Sequence, residues 1–192
     1  MYRIKNDRRS ERSVESMYDA LRSLIREKPY TTISVRDIVE RAGVSRSTFY
    51  RNFDVIGDIL HMQCDQVFDE LAAYLTSYRR ETDSHEHGDM LVPILRFFYL
   101  HSEIIDLLMQ ANRIDLFQRA FRTRSQPIQA RLAADEEIPL DYVAYVAEVR
   151  INVLIAILTH WVSTGKRHAP DELADTLKAI LYSKITTIAQ LL

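Results

Sequence analysis

An all-α fold is predicted by three features of this 192-residue sequence: chain breakers are scarce, apolar residues recur at helical spacing, and cap signals stand wherever that spacing restarts. Only 4 Gly and 5 Pro occur, where average usage would supply roughly 23. With 47% hydrophobic and 27% charged residues, the chain can build a sizeable core, and wholesale disorder is excluded. A single cysteine, Cys64, permits neither an intramolecular disulfide nor a cysteine-based zinc cluster. It fits a reducing compartment, and cytoplasm is the expectation.

The elements follow in order. Val14, Met17, Leu21, Leu24 and Ile25 fall on one helical face opposite Glu15, Asp19 and Arg22, so 13–28 is a first helix that Pro29 interrupts. Ser34 is positioned to cap a second helix, with Asp37 completing a capping box and Ile33 stapling to Ile38. Gly43 ends that helix where a left-handed residue is needed. Ser45 then caps a two-turn helix over 46–52, with a Val44–Phe49 staple and Phe49 and Phe53 paired at i, i+4. Helix, tight turn, short helix is the helix-turn-helix unit.

A long helix is expected over 55–79 with Asp54 as its N-cap, followed by a polar loop over 81–88. In that loop His85 and His87 flank Glu86 without the further ligands a metal needs, so no metal site is assigned. Asp89 and Ser102 are the expected caps of two shorter helices reaching about 99 and 112, with another from Asp115 kinked near Pro127. After an acidic break at 133–139, the most apolar helix spans 140–164, and Gly165 follows it. Pro170, with Asp171 and Glu172 in the first turn, opens a last helix running to about 191. The longest uncharged apolar run, 151–165, is shorter than the ~20 residues of a membrane helix, so no membrane partner is assigned.

The net charge of -2 conceals an asymmetry. Residues 1–53 hold 12 Lys and Arg against 7 Asp and Glu, whereas the remainder holds 13 against 20. A basic head on an acidic body points to a polyanion as partner of the head alone. On the 46–52 helix the face away from Phe49 and Phe53 reads Arg46, Ser47, Thr48, Tyr50, Arg51 and Asn52, all hydrogen-bond donors and none acidic. Such a face suits the major groove, where Arg reads guanine, Asn reads adenine and hydroxyls meet phosphate or base edges.

The stretch 34–53, SVRDIVERAGVSRSTFYRNF, resembles the DNA-binding signature of the TetR family of bacterial transcriptional regulators. The resemblance covers about the first 60 residues and implies a three-helix DNA-binding domain, 1–54, before a helical regulatory and dimerisation domain, 55–192. It places Arg36, Arg46, Ser47 and Tyr50 against bases or adjacent phosphates, and Thr31, Ser34, Ser45, Thr48 and Asn52 on phosphates. One position departs from the pattern: Ile56 stands where a phosphate-holding lysine is usual. The basic arm containing Arg3, Lys5, Arg8, Arg9 and Arg12 is a candidate to track the duplex instead, or to be a solvated tail.

The resemblance also implies a homodimer on a palindromic double-stranded operator, probed by two heads one DNA turn apart. In such dimers the last two helices form a four-helix interface, here carrying Leu154, Leu158, Trp161, Leu177, Leu181 and Ile185, part of which also serves as intrachain core. His160-Trp161, Gly165 and 170–173 (PDEL) match the ending of many members with this type of body. A small-molecule effector acting on the heads would occupy a body pocket, with Phe97, His101, Phe117, Phe121, Tyr145 and Trp161 as candidate lining or as ordinary aromatic core. The stretch 99–121 also resembles members that respond to a protein co-regulator, and a helical interaction module is the alternative function. No nucleophile–base pair, metal cluster or phosphate loop can be assembled, so neither an enzyme nor a cofactor is expected.

Overall fold

A computed structural model describes residues 2–3, 8–81, 90–135 and 139–184. Among these the chain forms nine α-helices: α1 (Arg8–Glu27), α2 (Val35–Ala42), α3 (Arg46–Asn52), α4 (Gly57–Glu81), α5 (Leu91–Leu100), α6 (Glu103–Gln110), α7 (Ile114–Asp135), α8 (Leu140–Ser163) and α9 (Pro170–Lys184). One 3-10 turn, Tyr30–Thr32, joins α1 to α2. The all-α expectation holds, and the boundaries of α2 and α3 are those the caps imply.

Local chemistry explains the head. The Ser34 side chain accepts from the Asp37 amide at 3.2 Å while Asp37 Oδ2 accepts from the Ser34 amide at 2.8 Å, closing the capping box. Gly43 takes φ 67°, the left-handed conformation that terminates α2. Ser45 Oγ accepts from the Thr48 amide at 3.1 Å and starts α3. Phe49, Phe53, Met17, Leu21 and Ile38 are fully buried together, so α1, α2 and α3 share one core. Arg41 fixes α2 to α1 through a bidentate pair with Glu27, both contacts at 2.7 Å. That bond, with help from Ser23, pulls the Glu27 carboxyl down to about 2.

The core continues without a break into the body through Ile59, Leu60, Leu95, Phe98, Ile105 and Phe117. Phe117 meets Phe98 at 5.6 Å and Phe68 at 4.9 Å, which joins α7, α5 and α4. Cys64 is wholly buried in α4, and burial pushes its thiol up to about 12. From α8, Ile151, Ile155, Leu158 and Val162 enter the core, whereas α9 packs mainly on α5, with Arg96 paired to Asp171 across that contact.

Several expected caps differ. Asp58, not Asp54, accepts the amides of Asp54 at 2.9 Å and Val55 at 3.1 Å, because α4 begins only at Gly57 and Asp58 can fold back over the turn. Ser102 precedes α6 as expected, but its side chain makes no cap bond; its oxygen accepts from Lys166 Nζ at 2.9 Å. Helix α7 runs as one helix from Ile114 through Pro127 to Asp135. The loop around His85, Glu86 and His87, the Asp89 cap and the end of the last helix lie outside the described residues.

Candidate nucleic-acid interface

The capped turn at 43–45 and the buried Phe49 and Phe53 fix which side of α3 faces outward. On that side Arg46, Ser47, Tyr50 and Arg51 are exposed, with Tyr50 55% accessible, and Thr48 is half-buried. Among the described residues, neither Arg46 nor Arg51 is paired with a carboxylate. The face therefore presents two uncompensated cations, a phenol and a hydroxyl row in which Ser45 Oγ lies 2.8 Å from Ser47 Oγ and 2.9 Å from Thr48 Oγ1.

Asn52 is the exception. It is 1% exposed, its Nδ2 donates to the Thr48 carbonyl at 2.8 Å, and its Oδ1 accepts from the buried Ser10 hydroxyl at 3.0 Å. The expectation of an outward Asn52 is thus corrected: the residue ties α3 to the start of α1. Its place three residues after Phe49 and next to Phe53, at the edge of the buried stripe, is the signal that composition alone passed over.

Flanking positions are exposed but already engaged. Arg36 pairs with Glu40 at 2.6 Å, and the Ser34 hydroxyl donates to Asp37 Oδ2 at 2.7 Å. Thr31 lies exposed in the 3-10 turn. Ile56, at the position where the resemblance implies a lysine, is half-buried and packs against the core. The Arg113 guanidinium reaches over the neighbouring Gly57, 3.1 Å from where a Cβ would stand, and sits 5.9 Å from the Tyr30 ring. A cleft of about 590 Å³ opens here between Tyr50, Ile56, Arg113 and Arg119, and it includes Asp54 and Asp58, so its charges balance.

The start of the chain does not extend from the head as a free arm at Tyr2 and Arg3. The Arg3 amide donates to the Asn52 carbonyl at 2.8 Å, Tyr2 bridges to Phe53, and the Arg3 side chain pairs with Asp54 at 3.1 Å. Tyr2 Oη donates to Asp65 Oδ2 at 2.6 Å, and burial together with that carboxylate pushes the phenol up to about 12. The C-terminal end of α3 is held from one side by Tyr2 and Arg3 and from the other by Ser10.

In the body, the six candidate pocket residues are not brought together. Phe97 stacks on His101 at 4.3 Å, Phe117 is central core, Phe121 packs on Phe68 at 5.3 Å, and Tyr145 is 73% exposed. Trp161 alone of the six borders a described cavity, a cleft of about 420 Å³ between α8 and α9. The expected interface is also corrected in part: Leu158 and Trp161 are buried within the chain, whereas Leu154 and Leu177 are half-buried. The Leu181 side chain and Ile185 lie outside the described residues.

The outward apolar stripe of α8 is instead Tyr142, Tyr145, Val149 and Val153, joined by Ile180 of α9 as a further exposed apolar residue. By length and composition Asp141–Ser163 is apolar enough to cross a membrane, and only 17% of its apolar window is buried. It nevertheless contains Glu148, held by Arg122 of α7 at 2.5 Å, and Arg150.

Residues 18–61 match the family model of bacterial regulatory proteins, tetR family. In fold the chain is similar to Lin0861 from Listeria innocua, with a TM-score of 0.73 at 15% identity over 94% of each chain. It is also similar to a TetR transcriptional regulator from Streptococcus agalactiae 2603V, with a TM-score of 0.58 at 23% identity over 90% of this chain and 93% of that one. The fatty acid degradation regulator FadR from Bacillus halodurans aligns with a TM-score of 0.53 at 14% identity, over 90% and 95%. No curated protein matches the sequence.

Proposed function

The chain carries the N-terminal domain of bacterial regulatory proteins of the tetR family, and from that premise we propose that it is a homodimeric transcriptional repressor. In this reading residues 1–54 bind a palindromic operator and residues 55–192 dimerise and sense an effector. The observation that carries the reading is the α3 face, where Arg46 and Arg51 stand without carboxylate partners beside Tyr50 and Ser47. Arg46 and Tyr50 read bases or the adjacent phosphates, while Ser45, Ser47, Thr48 and Arg51 hold the backbone. Thr31 contributes at the flank from its exposed turn, and Arg36 and Ser34 do so once Glu40 and Asp37 yield.

A short helix reads few base pairs, so specificity needs two heads. The outward stripe of Tyr142, Tyr145, Val149 and Val153 supports the second copy, since an exposed apolar row of this length is covered in a soluble assembly. Light scattering is expected to give a dimer mass for the wild type and a monomer mass for Val149→Glu. A Val149→Glu dimer would remove the stripe from the interface.

The test of DNA binding is selection from a random-sequence pool at moderate salt. An inverted repeat is expected, with log affinity falling by about 0.9 per neutralised phosphate for each decade of salt. The Arg46→Ala/Tyr50→Ala double variant should keep its dimer mass and lose selectivity. Absence of any selected sequence, or retained selectivity in the double variant, would overturn the assignment.

A further inference from the structure

We propose that the cleft between α8 and α9 is a binding site for a small anionic amphiphile, a molecule with an apolar chain and one carboxylate-like head. The apolar wall is Ile157, Trp161, Leu173 and Leu177, and the polar rim is His160, Arg167 and His168. Among the described residues no carboxylate lines the cleft, and Glu172 stands 3.7 Å from His168 at its rim. Its volume of about 420 Å³ lies within the ~300–1,000 Å³ usual for ligand sites. An apolar slot ringed by a guanidinium and two imidazoles favours an anion over a neutral or cationic molecule of the same length.

The rim segment is also the body's clasp. Gly165 and Lys166 both take left-handed conformations, at φ 77° and 53°, and a non-glycine residue there stores strain. Lys166 Nζ donates to the Tyr99 carbonyl at 2.8 Å and to Ser102 Oγ at 2.9 Å, where α5 meets α6. Trp161 stands between the two: its Nε1 donates to the His168 carbonyl at 3.0 Å, its own carbonyl accepts from the Lys166 amide at 2.8 Å, and its ring lies 6.1 Å from Tyr99. One residue past Ser102, Glu103 binds Arg22 and Arg26 of α1, each at 3.1 Å. A head group drawing Arg167 and His168 inward therefore acts on the segment that fixes α6, and α6 is ion-paired to the DNA-binding head. This last link rests on the proposed function; the binding site does not.

Trp161 is the chain's single tryptophan, so its fluorescence reports the cleft directly. The full chain is titrated with octanoate, octanol and octylammonium. A saturable change is expected, at least about tenfold tighter for octanoate than for the other two, with Arg167→Gln reducing octanoate to the level of octanol. Equal response to all three probes, no response, or undiminished octanoate binding in Arg167→Gln would overturn the site. So would a fluorescence change that follows self-association by light scattering instead of octanoate, because a second copy would then occupy the cleft. On DNA selected as above, octanoate should weaken binding by wild type but not by Lys166→Met, which keeps octanoate affinity. Equal weakening in both proteins would overturn the clasp, whereas octanoate binding without any DNA selection would overturn only the proposed regulator function.

Discussion

Replacing Asn52 with alanine separates a structural role from a DNA-reading one. Asn52 makes two side-chain hydrogen bonds, to the Thr48 carbonyl at 2.8 Å and from Ser10 Oγ at 3.0 Å, and is 1% exposed. Each such bond contributes about 1 kcal/mol net, so their loss destabilises the fold by about 2 kcal/mol. For a chain of this length that lowers the unfolding midpoint by about 4–8 °C. Urea or thermal unfolding measures the first quantity; DNA titration at a temperature where both proteins are folded measures the second. Affinity for the selected DNA should stay within about threefold of wild type, whereas Arg46→Ala, at an exposed position, should lose about tenfold or more at an unchanged midpoint. The reasoning is refuted if Asn52→Ala unfolds like wild type yet loses specific DNA, because Asn52 would then leave its buried site to meet the duplex.

Two further expectations concern the head. Gly43→Ala places a methyl group where no atom lies within 4 Å, but at φ 67°; the loss is therefore backbone strain alone, about 1–2 kcal/mol, largely recovered by Gly43→Asn. A loss well beyond that range in chemical denaturation would mean the site is sterically closed. The Glu27 carboxyl is lowered from 4.5 to about 2 in the folded chain by Arg41, so the pair stabilises above pH about 4.5 and that contribution disappears as pH falls towards about 2. Glu27→Gln should flatten the dependence of the midpoint on pH in that window, by less at high salt because the pair is exposed; an unchanged slope would show that Glu27 does not carry it.

The head was legible in the sequence because its signals are local. Ser34, Asp37, Gly43 and Ser45 act within four residues of themselves, and each does what its position implies. The role of Ser102 is not legible locally, because its partner, Lys166, lies 64 residues away. Sequence does not separate Asp54 from Asp58 as the capping carboxylate before α4, since a carboxylate at either end of a one-turn segment looks alike, and only the backbone path selects Asp58. The sidedness of α8 was hidden for another reason. That helix is apolar on most of its circumference, so periodicity marks no face, and the division between Leu158 and Trp161 inside and Tyr145 and Val149 outside comes from where α6 and α7 lie against it. The pocket residues failed for the same cause: aromatic side chains are common to cores and ligand sites, and five of the six fill space or face solvent.

The buried Cys64 has a practical corollary. With its side chain wholly enclosed in α4 and its thiol raised to about 12, the native cysteine is silent towards thiol reagents in the folded chain. A second cysteine placed on the outer face of α3 could therefore carry a probe without removing the first. The native thiol would then serve as a clock, since its slow modification counts the openings of the helix that joins the head to the body.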